Sequence, residues 1–278
     1  MNSNQQLNIL KVKDKNEKHY TQKYPLSNIP FRTLIIGKSQ LSGKTNMIVN
    51  LLLNPDPRFY KKDFKGENIF LISGSAHSDK KLQTLVEEKE IENVFTEYEE
   101  ESIEAIYEMI QEEYEEAVAK SKTPENYLMI FDDMSFSGIF RNKDFGIIKK
   151  IFANGRHINL SCIITAQKYT DIMTGIRENM TLGIFFNCSD KQLDVITDDI
   201  NYITSKKEFK KKFRECTLQK HSFFTVNFTN DHTEMYLDCH FLPIDFRAQE
   251  PTYQNDLKVD RSISSSSAAN DPTVSLKE

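Results

Sequence analysis

The stretch IIGKSQLSGKT, residues 35–45, joins the apolar run Phe31–Ile36 to the segment Asn46–Leu53, whose apolar residues share one helical face. Its last four residues, SGKT, match the end of a phosphate-binding loop. In such a loop a glycine lets backbone amides approach phosphate, and a lysine neutralises the phosphate charge. A surface turn before a helix is the alternative, but the position between a strand and a helix favours a nucleotide site at the helix N-terminus.

The loop departs from its commonest form, G-x-x-x-x-G-K-[ST]. That pattern would put a glycine where Lys38 stands, and Gly37 lies one residue earlier. Either the loop is longer, or Lys38 adopts the backbone conformation usually given to glycine. We expect Lys44 to reach the β- and γ-phosphates of ATP and Thr45 to supply a hydroxyl to Mg²⁺. The residues predicted to bind the nucleotide are Lys38, Ser39, Gln40, Leu41, Ser42, Gly43, Lys44 and Thr45.

Polar residues also end two later apolar runs. Asp132 and Asp133 follow Tyr127–Phe131, and Gln167 follows Leu160–Ala166. We expect Asp132 to hold Mg²⁺ through its water shell and Asp133 to polarise the attacking water. Gln167 is predicted to sense the γ-phosphate through its amide. The alternatives are helix N-caps for the two acids and an ordinary strand-end glutamine.

Nearly continuous apolar runs alternate with helical segments along the chain. This pattern predicts an α/β fold of the P-loop NTPase type, with a mostly parallel central sheet flanked by helices, and ligands at the carboxyl ends of its strands. Phe223–Phe228 and Glu234–Cys239 are predicted to form a C-terminal antiparallel pair. The other predicted strands are Phe31–Ile36, Ile69–Ile72, Tyr127–Phe131, Leu160–Ala166 and Thr181–Asn187, and the predicted helices are Asn46–Leu53, Asp79–Glu90, Ile103–Lys120, Phe145–Phe152, Gln192–Ile200 and Lys206–Phe213.

The composition indicates one sizeable core, because 38% of the 278 residues are apolar. We predict an N-terminal arm at 1–28, a P-loop ATPase domain at 29–248 and a polar, disordered tail at 249–278. No apolar run is long enough for a transmembrane helix, and the polar N-terminus carries no secretion signal. The four cysteines stand far apart and are expected to be reduced thiols.

The net charge of −5 argues against a basic nucleic-acid coat, so any DNA contact must come from a local patch or a ring lumen. One dense basic cluster exists, Lys206–Arg214, in which Phe209 and Phe213 share a helical face and are expected to pack inward. The helix could contact DNA phosphates, and a solvated basic helix is an equally good interpretation.

Three segments together resemble the FtsK–HerA superfamily of DNA-pumping ATPases. They are IIGKSQLSGKT at 35–45, LMIFDDM at 128–134 and NGRHINLSCIITAQKYTDIMTGIREN at 154–179. More narrowly, they resemble the genome-packaging ATPases of poxviruses, other large nucleocytoplasmic DNA viruses and virophages. The resemblance covers roughly Phe31–Asp199. It implies an ATPase of the additional-strand type, in which the position of Asp133 is usually a glutamate.

The resemblance also implies a pentameric or hexameric ring that threads double-stranded DNA into a preformed capsid. Capsid or vertex proteins would then be partners, and the cytoplasm or viral factory of an infected cell, with the virion as a further place, would be the location. In such a ring Arg156 or Arg177 could act as an arginine finger on a neighbouring subunit. Arg177 is slightly favoured, and Arg156 could instead have a sensor or interface role.

Three other functions are compatible with parts of this pattern. One is a related DNA-handling ATPase for conjugation or end processing, which would differ in its partner and not in its chemistry. Another is a nucleotide-dependent assembly protein with little turnover, against which the intact Lys44, Thr45 and paired acids argue. A small-molecule kinase would need an arginine-rich lid, and no segment of the sequence has that character.

Overall fold

A computed structural model describes residues 21–39, 42–134 and 146–246. Within these residues the strands form one eight-stranded sheet in the order β3-β2-β4-β5-β1-β6-β7-β8. The first six strands of this order run parallel, and β7 and β8 are antiparallel to their neighbours. The strands are β1 Arg32–Ile36, β2 Ile69–Ser73, β3 Asn93–Phe95, β4 Tyr127–Asp132, β5 Leu160–Ala166, β6 Leu182–Phe186, β7 Phe223–Asn227 and β8 Tyr236–Leu237. The predicted α/β class is confirmed, including the antiparallel pair.

Helices cover both faces of the sheet, as the continuous apolar strands predicted. Alternate strand residues face opposite ways: Leu34 packs with the cluster that contains α3, α4, α6 and α7, and Ile35 with the cluster that contains α1 and α2. Each fully buried aliphatic side chain in these clusters contributes about 1.5–3 kcal/mol. The helices are α1 Lys44–Leu53, α2 Lys80–Lys89, α3 Glu100–Ala119, α4 Gly146–Asn154, α5 Thr174–Arg177, α6 Asp190–Ile200 and α7 Lys206–Cys216.

Several element bounds differ from the sequence prediction for local reasons. Helix α1 begins at Lys44 because Gly43 caps it with a left-handed backbone, φ 95°. Helix α3 begins at Glu100, where two glutamates complement the positive end of the helix dipole. Strand β3 and helix α5, of three and four residues, were not predicted because such short segments carry no clear apolar period.

The segment 21–30 packs onto the sheet domain. Leu26 and Ser27 are buried, and the Tyr60 hydroxyl donates a hydrogen bond of 2.7 Å to the Ser27 carbonyl. The described end of the predicted arm is therefore part of the packed structure. Residues 1–20 of the predicted arm and the predicted tail at 249–278 lie outside the described residues, and the predicted domain bounds stay predictions.

Three further observations concern the thiols, membrane spans and metal cages. All four cysteines are free thiols. No helix among the described residues is long and apolar enough to cross a membrane. Likewise, no group of three or more His, Cys, Asp or Glu side chains in the described part of the chain could form a metal cage.

Candidate active site

The loop between β1 and α1 buries a lysine at the carboxyl edge of the sheet. Lys44 is 8% exposed, and its Nζ donates a hydrogen bond of 2.9 Å to the Gly37 carbonyl. Burial lowers the pKa of Lys44, and the nearby carboxylates of Asp133 and Asp132 oppose this shift. The ammonium group thus lies close to two acids and at the start of α1, where backbone N–H groups are free to bind an anion.

Gly37 lies where the loop packs too closely for a side chain. The commonest loop form has its glycine one position later, where Lys38 stands. A Cβ on Gly37 would lie 2.5 Å from Ser42 Cβ, which leaves no room for a side chain. Ser42 Oγ donates a hydrogen bond of 2.8 Å to the Lys38 carbonyl and closes the loop. Lys38 is exposed and is not among the described non-glycine residues with positive φ. Its side chain therefore fits without glycine-like backbone, and Ser39 beside it is also exposed, whereas Gln40 and Leu41 lie outside the described residues.

Asp132 ends β4 as a deeply buried carboxylate, only 2% exposed. The neighbouring strand β5 supplies Thr165, whose hydroxyl donates a hydrogen bond of 2.7 Å to Asp132 Oδ1. Burial raises the pKa of Asp132 to about 6, the Thr165 hydrogen bond and Lys44 lower it, and Asp133 and Asp79 raise it further. A cation bound nearby would favour the charged form of this buried carboxylate.

Asp133 and Gln167 meet beside Asp132. Gln167 Nε2 donates a hydrogen bond of 3.3 Å to Asp133 Oδ1, and the Asp133 backbone N–H donates one of 3.0 Å to Thr165 Oγ1. Asp133 has a left-handed backbone, φ 53°, a conformation that is uncommon outside glycine and is often held at functional sites. The Gly37 N–H bonds the Ala166 carbonyl at 3.0 Å, which brings the end of β5 against the phosphate-binding loop.

The residues of this edge fit Mg²⁺ held together with a nucleotide. Mg²⁺ keeps several waters and takes one or two protein oxygens plus phosphate oxygens, so it needs no cage of protein ligands. Asp132 offers a buried carboxylate, and Thr45 offers a hydroxyl in the first turn of α1. This donor set suits a hard cation, and nearby Lys44 suits the phosphate.

The two predicted arginines lie at the opposite edge of the sheet. Arg156 precedes β5 and Arg177 precedes β6, so both lie at amino ends of parallel strands, whereas Lys44 follows the carboxyl end of β1. Strands of five to seven residues separate the edges by about 17–23 Å. Neither arginine is therefore placed to contact phosphate bound by Lys44 of the same chain.

The two arginines also differ in their surroundings. The Arg177 guanidinium pairs with Asp199 Oδ2 at 2.6 Å, donates to Thr174 Oγ1 at 3.0 Å and lies 4.9 Å from the centre of the Tyr169 ring. Its side chain is only 13% exposed. Arg156, in contrast, is exposed. The slight preference for Arg177 as the finger is not supported by these contacts, which engage its guanidinium within its own chain.

The basic cluster forms α7, and much of its charge is neutralised by α6. Asp190, Asp194 and Asp198 lie one helical turn apart and pair with Arg214, Lys210 and Lys206, in that order. Phe209 and Phe213 are fully buried, as predicted. Lys207 and Lys211 remain exposed and share a helical face. This face is the part of α7 that is still available to an external phosphate.

Sequence reasoning missed two polar residues of the site. Thr165 had a signal, because it is a hydroxyl residue two positions before Gln167 in a strand that the prediction buried. His221 had no local signal in the sequence. Its Nδ1 lies 3.4 Å from the Ser42 carbonyl oxygen, and that contact spans 179 residues of sequence.

The comparisons with known proteins agree with this fold. The profile of the family described as Poxvirus A32 protein matches residues 17–225, more than half of the chain. No curated protein sequence matches the chain. The DNA-packaging ATPase B204 from Sulfolobus turreted icosahedral virus shares the fold at 17% identity and a TM-score of 0.50, over 72% of this chain and 94% of that one.

Two further solved structures are similar in the same way. B204 from Sulfolobus turreted icosahedral virus 2, in complex with AMP, is 16% identical, with a TM-score of 0.50 over 72% of this chain and 93% of that chain. The cytoplasmic domain of the type VII secretion ATPase EccC from Thermomonospora curvata is 14% identical, with a TM-score of 0.47 over 72% of this chain and 24% of that chain. With the family match and the site geometry, the chain belongs to the poxvirus A32 protein family and is a P-loop ATPase.

Proposed function

We propose that this ATPase is an ATP-driven translocase of double-stranded DNA that packages a viral genome into a preformed capsid. The observation that carries the proposal is the cluster of Lys44, Asp132, Asp133 and Gln167 at one sheet edge, in a chain of the poxvirus A32 family. Such a cluster has the groups that phosphoryl transfer to water requires. B204, which shares the fold, is itself a DNA-packaging ATPase.

In this proposal each residue of the edge has one task. Lys44 neutralises the β- and γ-phosphates, while Gly43 and the first turn of α1 bind them through backbone N–H groups. Thr45 and Asp132 would hold Mg²⁺, which supplies positive charge to the phosphate oxygens. Asp133 orients and polarises the attacking water. Gln167 would keep the Asp133 carboxylate aligned and respond when phosphate leaves, and its hydrogen bond of 3.3 Å to Asp133 supports this role.

Assembly into a ring would complete each site. Because both arginines lie at the amino edge, a finger can only act on the phosphate of a neighbouring subunit. We assign that role to Arg156, whose side chain is exposed. Arg177 instead fixes α5 against α6 through its pair with Asp199. An isolated subunit would therefore hydrolyse ATP slowly, and its turnover would rise on assembly.

DNA contact is assigned to the exposed face of α7. Lys207 and Lys211 lie on this face, while the other face is paired with α6. Lysines on a helix face bind phosphates without reading sequence, which suits a motor that must move along any DNA. The chain as a whole carries a charge of −5, so such binding depends on a local surface.

The cellular location, the partners and the rival functions are inferred from the same family match and site residues. A packaging motor of this family would act in the cytoplasm or viral factory of an infected cell and would contact capsid or vertex proteins. Conjugation or end processing would use the same site with another partner, and capsid binding separates them. An assembly protein with little turnover would not need Asp133 to be held by both Gln167 and Thr165.

Displacement of a third strand from duplex DNA tests translocation directly. Wild-type protein with ATP and Mg²⁺ is expected to remove a triplex-forming strand from linear duplex DNA, whereas Asp133→Asn is expected to bind ATP and leave the strand in place. Asp231→Asn, in the exposed turn before β8, is the matched control and should behave as wild type. Hydrolysis without displacement under assembling conditions would overturn translocation and leave the ATPase activity standing.

A further inference from the structure

A cavity of about 570 Å³ opens beside the phosphate-binding loop. Ser42 and Gly43 line it next to the first part of α1, Phe223 lines it from β7, and Cys239 and Phe241 line it from the segment after β8. Its volume falls in the range of small-molecule sites, 300–1,000 Å³ by order of magnitude. The phosphate site described above uses none of its aromatic lining.

Four aromatic rings follow one another along this cavity. Phe186 lies 5.6 Å from Phe223, Phe223 lies 5.4 Å from Phe241, and Phe241 lies 6.0 Å from Phe59. The distances join ring centres, and all four residues line the cavity. Phe59 and Phe241 are only partly buried, so ring surface remains open to a ligand. Neighbouring rings are tilted by 52° to 80° to one another, so an aromatic ligand can meet both ring faces and ring edges, which are the contacts that aromatic pairs favour.

The cavity also has a polar group where it meets the loop. His221 Nδ1 lies 3.4 Å from the Ser42 carbonyl oxygen, and a Cβ on Gly43 would lie 3.6 Å from the same nitrogen. His221 and Phe241 both have positive φ, 65° and 60°. Non-glycine residues adopt this backbone only when surrounding packing holds them there, as it often does at ligand sites. The imidazole thus marks the place where the aromatic wall joins the phosphate site.

We propose that this cavity binds the purine base and ribose of the nucleotide whose phosphates lie on the loop, with the base packed against Phe241 and Phe59. The inference rests on the proposed use of the loop for ATP. The loop contributes Ser42 and Gly43 to the cavity wall, so one molecule can occupy both places. A purine covers more of the rings than a pyrimidine does, which gives ATP and GTP an advantage over CTP and UTP.

The part of the wall formed by Cys239 and Phe241 lies beyond residues 17–225, where the family profile matches. The segment after β8 therefore supplies part of the wall of the base cavity.

Binding of ATP and of inorganic tripolyphosphate, measured by calorimetry in the presence of Mg²⁺, separates the base cavity from the phosphate site. Phe241→Ala and Phe59→Ala are expected to weaken ATP binding roughly tenfold or more, as removal of a base-stacking ring does. Tripolyphosphate, which has no base, should bind all variants within about twofold of wild type. Leu242→Ala, next to Phe241 but 59% exposed, is the matched control and should not change either affinity.

Thiol protection gives a second test that leaves the aromatic residues in place. In a Cys188→Ser, Cys216→Ser background the remaining thiols are Cys239, which lines the cavity, and Cys162, which is fully buried. ATP is expected to slow maleimide modification of Cys239 at least about fivefold, and tripolyphosphate is expected to leave the rate within about twofold.

The outcomes distinguish the two proposals. Equal protection by both ligands, or none by ATP that is shown to bind, would overturn the base cavity and leave the phosphate site intact. An ATP affinity that is unchanged in both Phe241→Ala and Phe59→Ala would also overturn the base cavity and leave the phosphate site intact. If neither ATP nor tripolyphosphate binds wild type, the proposed function fails and the base cavity with it.

Discussion

Thr165 and Asp132 are joined by a hydrogen bond of 2.7 Å between the threonine hydroxyl and Oδ1 of the buried carboxylate. The same hydroxyl accepts a bond of 3.0 Å from the backbone N–H of Asp133. One side chain on β5 therefore orients the proposed Mg²⁺ residue, which ends β4, and the proposed water-polarising residue that follows it. This arrangement follows directly from the parallel pairing of the two strands.

Replacing Thr165 by valine should separate catalysis from nucleotide binding. The valine keeps the shape but removes the donor to Asp132 and the acceptor for the Asp133 N–H, so stability should fall by about 1–3 kcal/mol. We expect kcat for ATP to fall roughly 10- to 100-fold with a smaller change in ATP affinity. Steady-state ATPase assays and chemical denaturation measure the two effects. Thr165→Ser, which keeps the hydroxyl, should retain most activity, and equal loss in both variants would contradict the orienting role.

Asp132→Asn should stabilise the nucleotide-free protein while abolishing turnover. The pKa of Asp132 is about 6 in the folded chain and 3.8 as an ordinary carboxyl. The folded state therefore binds more protons between these values, and the wild-type free energy of unfolding falls as pH rises from about 4 to about 7. A neutral amide removes this cost, which is on the order of 2–3 kcal/mol at pH 7–8.

Denaturation curves of wild type and Asp132→Asn between pH 4 and pH 8 measure this effect, with Asp231→Asn as the exposed control. The stability difference should be small at pH 4 and largest above pH 7. A variant that is less stable than wild type at pH 8 would contradict the account of Asp132 as a buried charge that its neighbours compensate only in part.

The two arginines should respond differently to substitution. Arg177→Ala leaves Asp199 without its partner, so thermal stability of the subunit should fall. Arg156→Ala should leave subunit stability unchanged and reduce ATP turnover of the assembled protein by about 10³-fold, as loss of an arginine finger does. Mixing Arg156→Ala subunits with Lys44→Ala subunits should restore part of the activity, because some interfaces then combine an intact loop with an intact arginine. Absence of restoration in mixed assemblies would remove Arg156 from the site.

Charge on α7 should matter for DNA only on its exposed face. Replacing Lys207 and Lys211 by glutamine should weaken double-stranded DNA binding and reduce the dependence of log K on log salt by about 2, because two phosphate contacts are lost. Replacing Lys206 and Lys210, which pair with Asp198 and Asp194, is the matched control and should have less effect. Fluorescence anisotropy over a range of salt concentrations measures both pairs. A larger loss in the control pair would place the DNA on the α6 side of the helix.

The parts predicted correctly from the sequence are those that depend on local pattern. Buried parallel strands appear in the sequence as continuous apolar runs. Polar residues end the runs that form β4 and β5, and this pattern predicted that Asp132, Asp133 and Gln167 lie at one edge of the sheet. The brief strand β3 could not be recognised, because three residues carry no period. The sequence also left two possibilities for the loop around Gly37 and Lys38, a longer loop or a glycine-like backbone at Lys38. Only the structure distinguishes them.

The parts that could not be predicted depend on contacts between distant segments. The sequence slightly favoured Arg177 over Arg156 as the finger, and it could not show that Asp199, on α6, pairs with Arg177. The basic run of α7 was equally compatible with a DNA surface and a solvated helix, and the sequence could not show that acidic residues of α6 pair with three of its basic residues. His221 has no motif, and only the fold of the chain brings it to Ser42.

ATP turnover with and without linear double-stranded DNA, compared between wild type and Lys44→Ala under conditions that allow assembly, tests the central claim most directly. We predict that DNA raises wild-type turnover severalfold and that Lys44→Ala has no turnover in either condition. Wild-type turnover that DNA does not change, in a protein that also fails to bind DNA, would contradict a DNA translocase and leave only an ATPase.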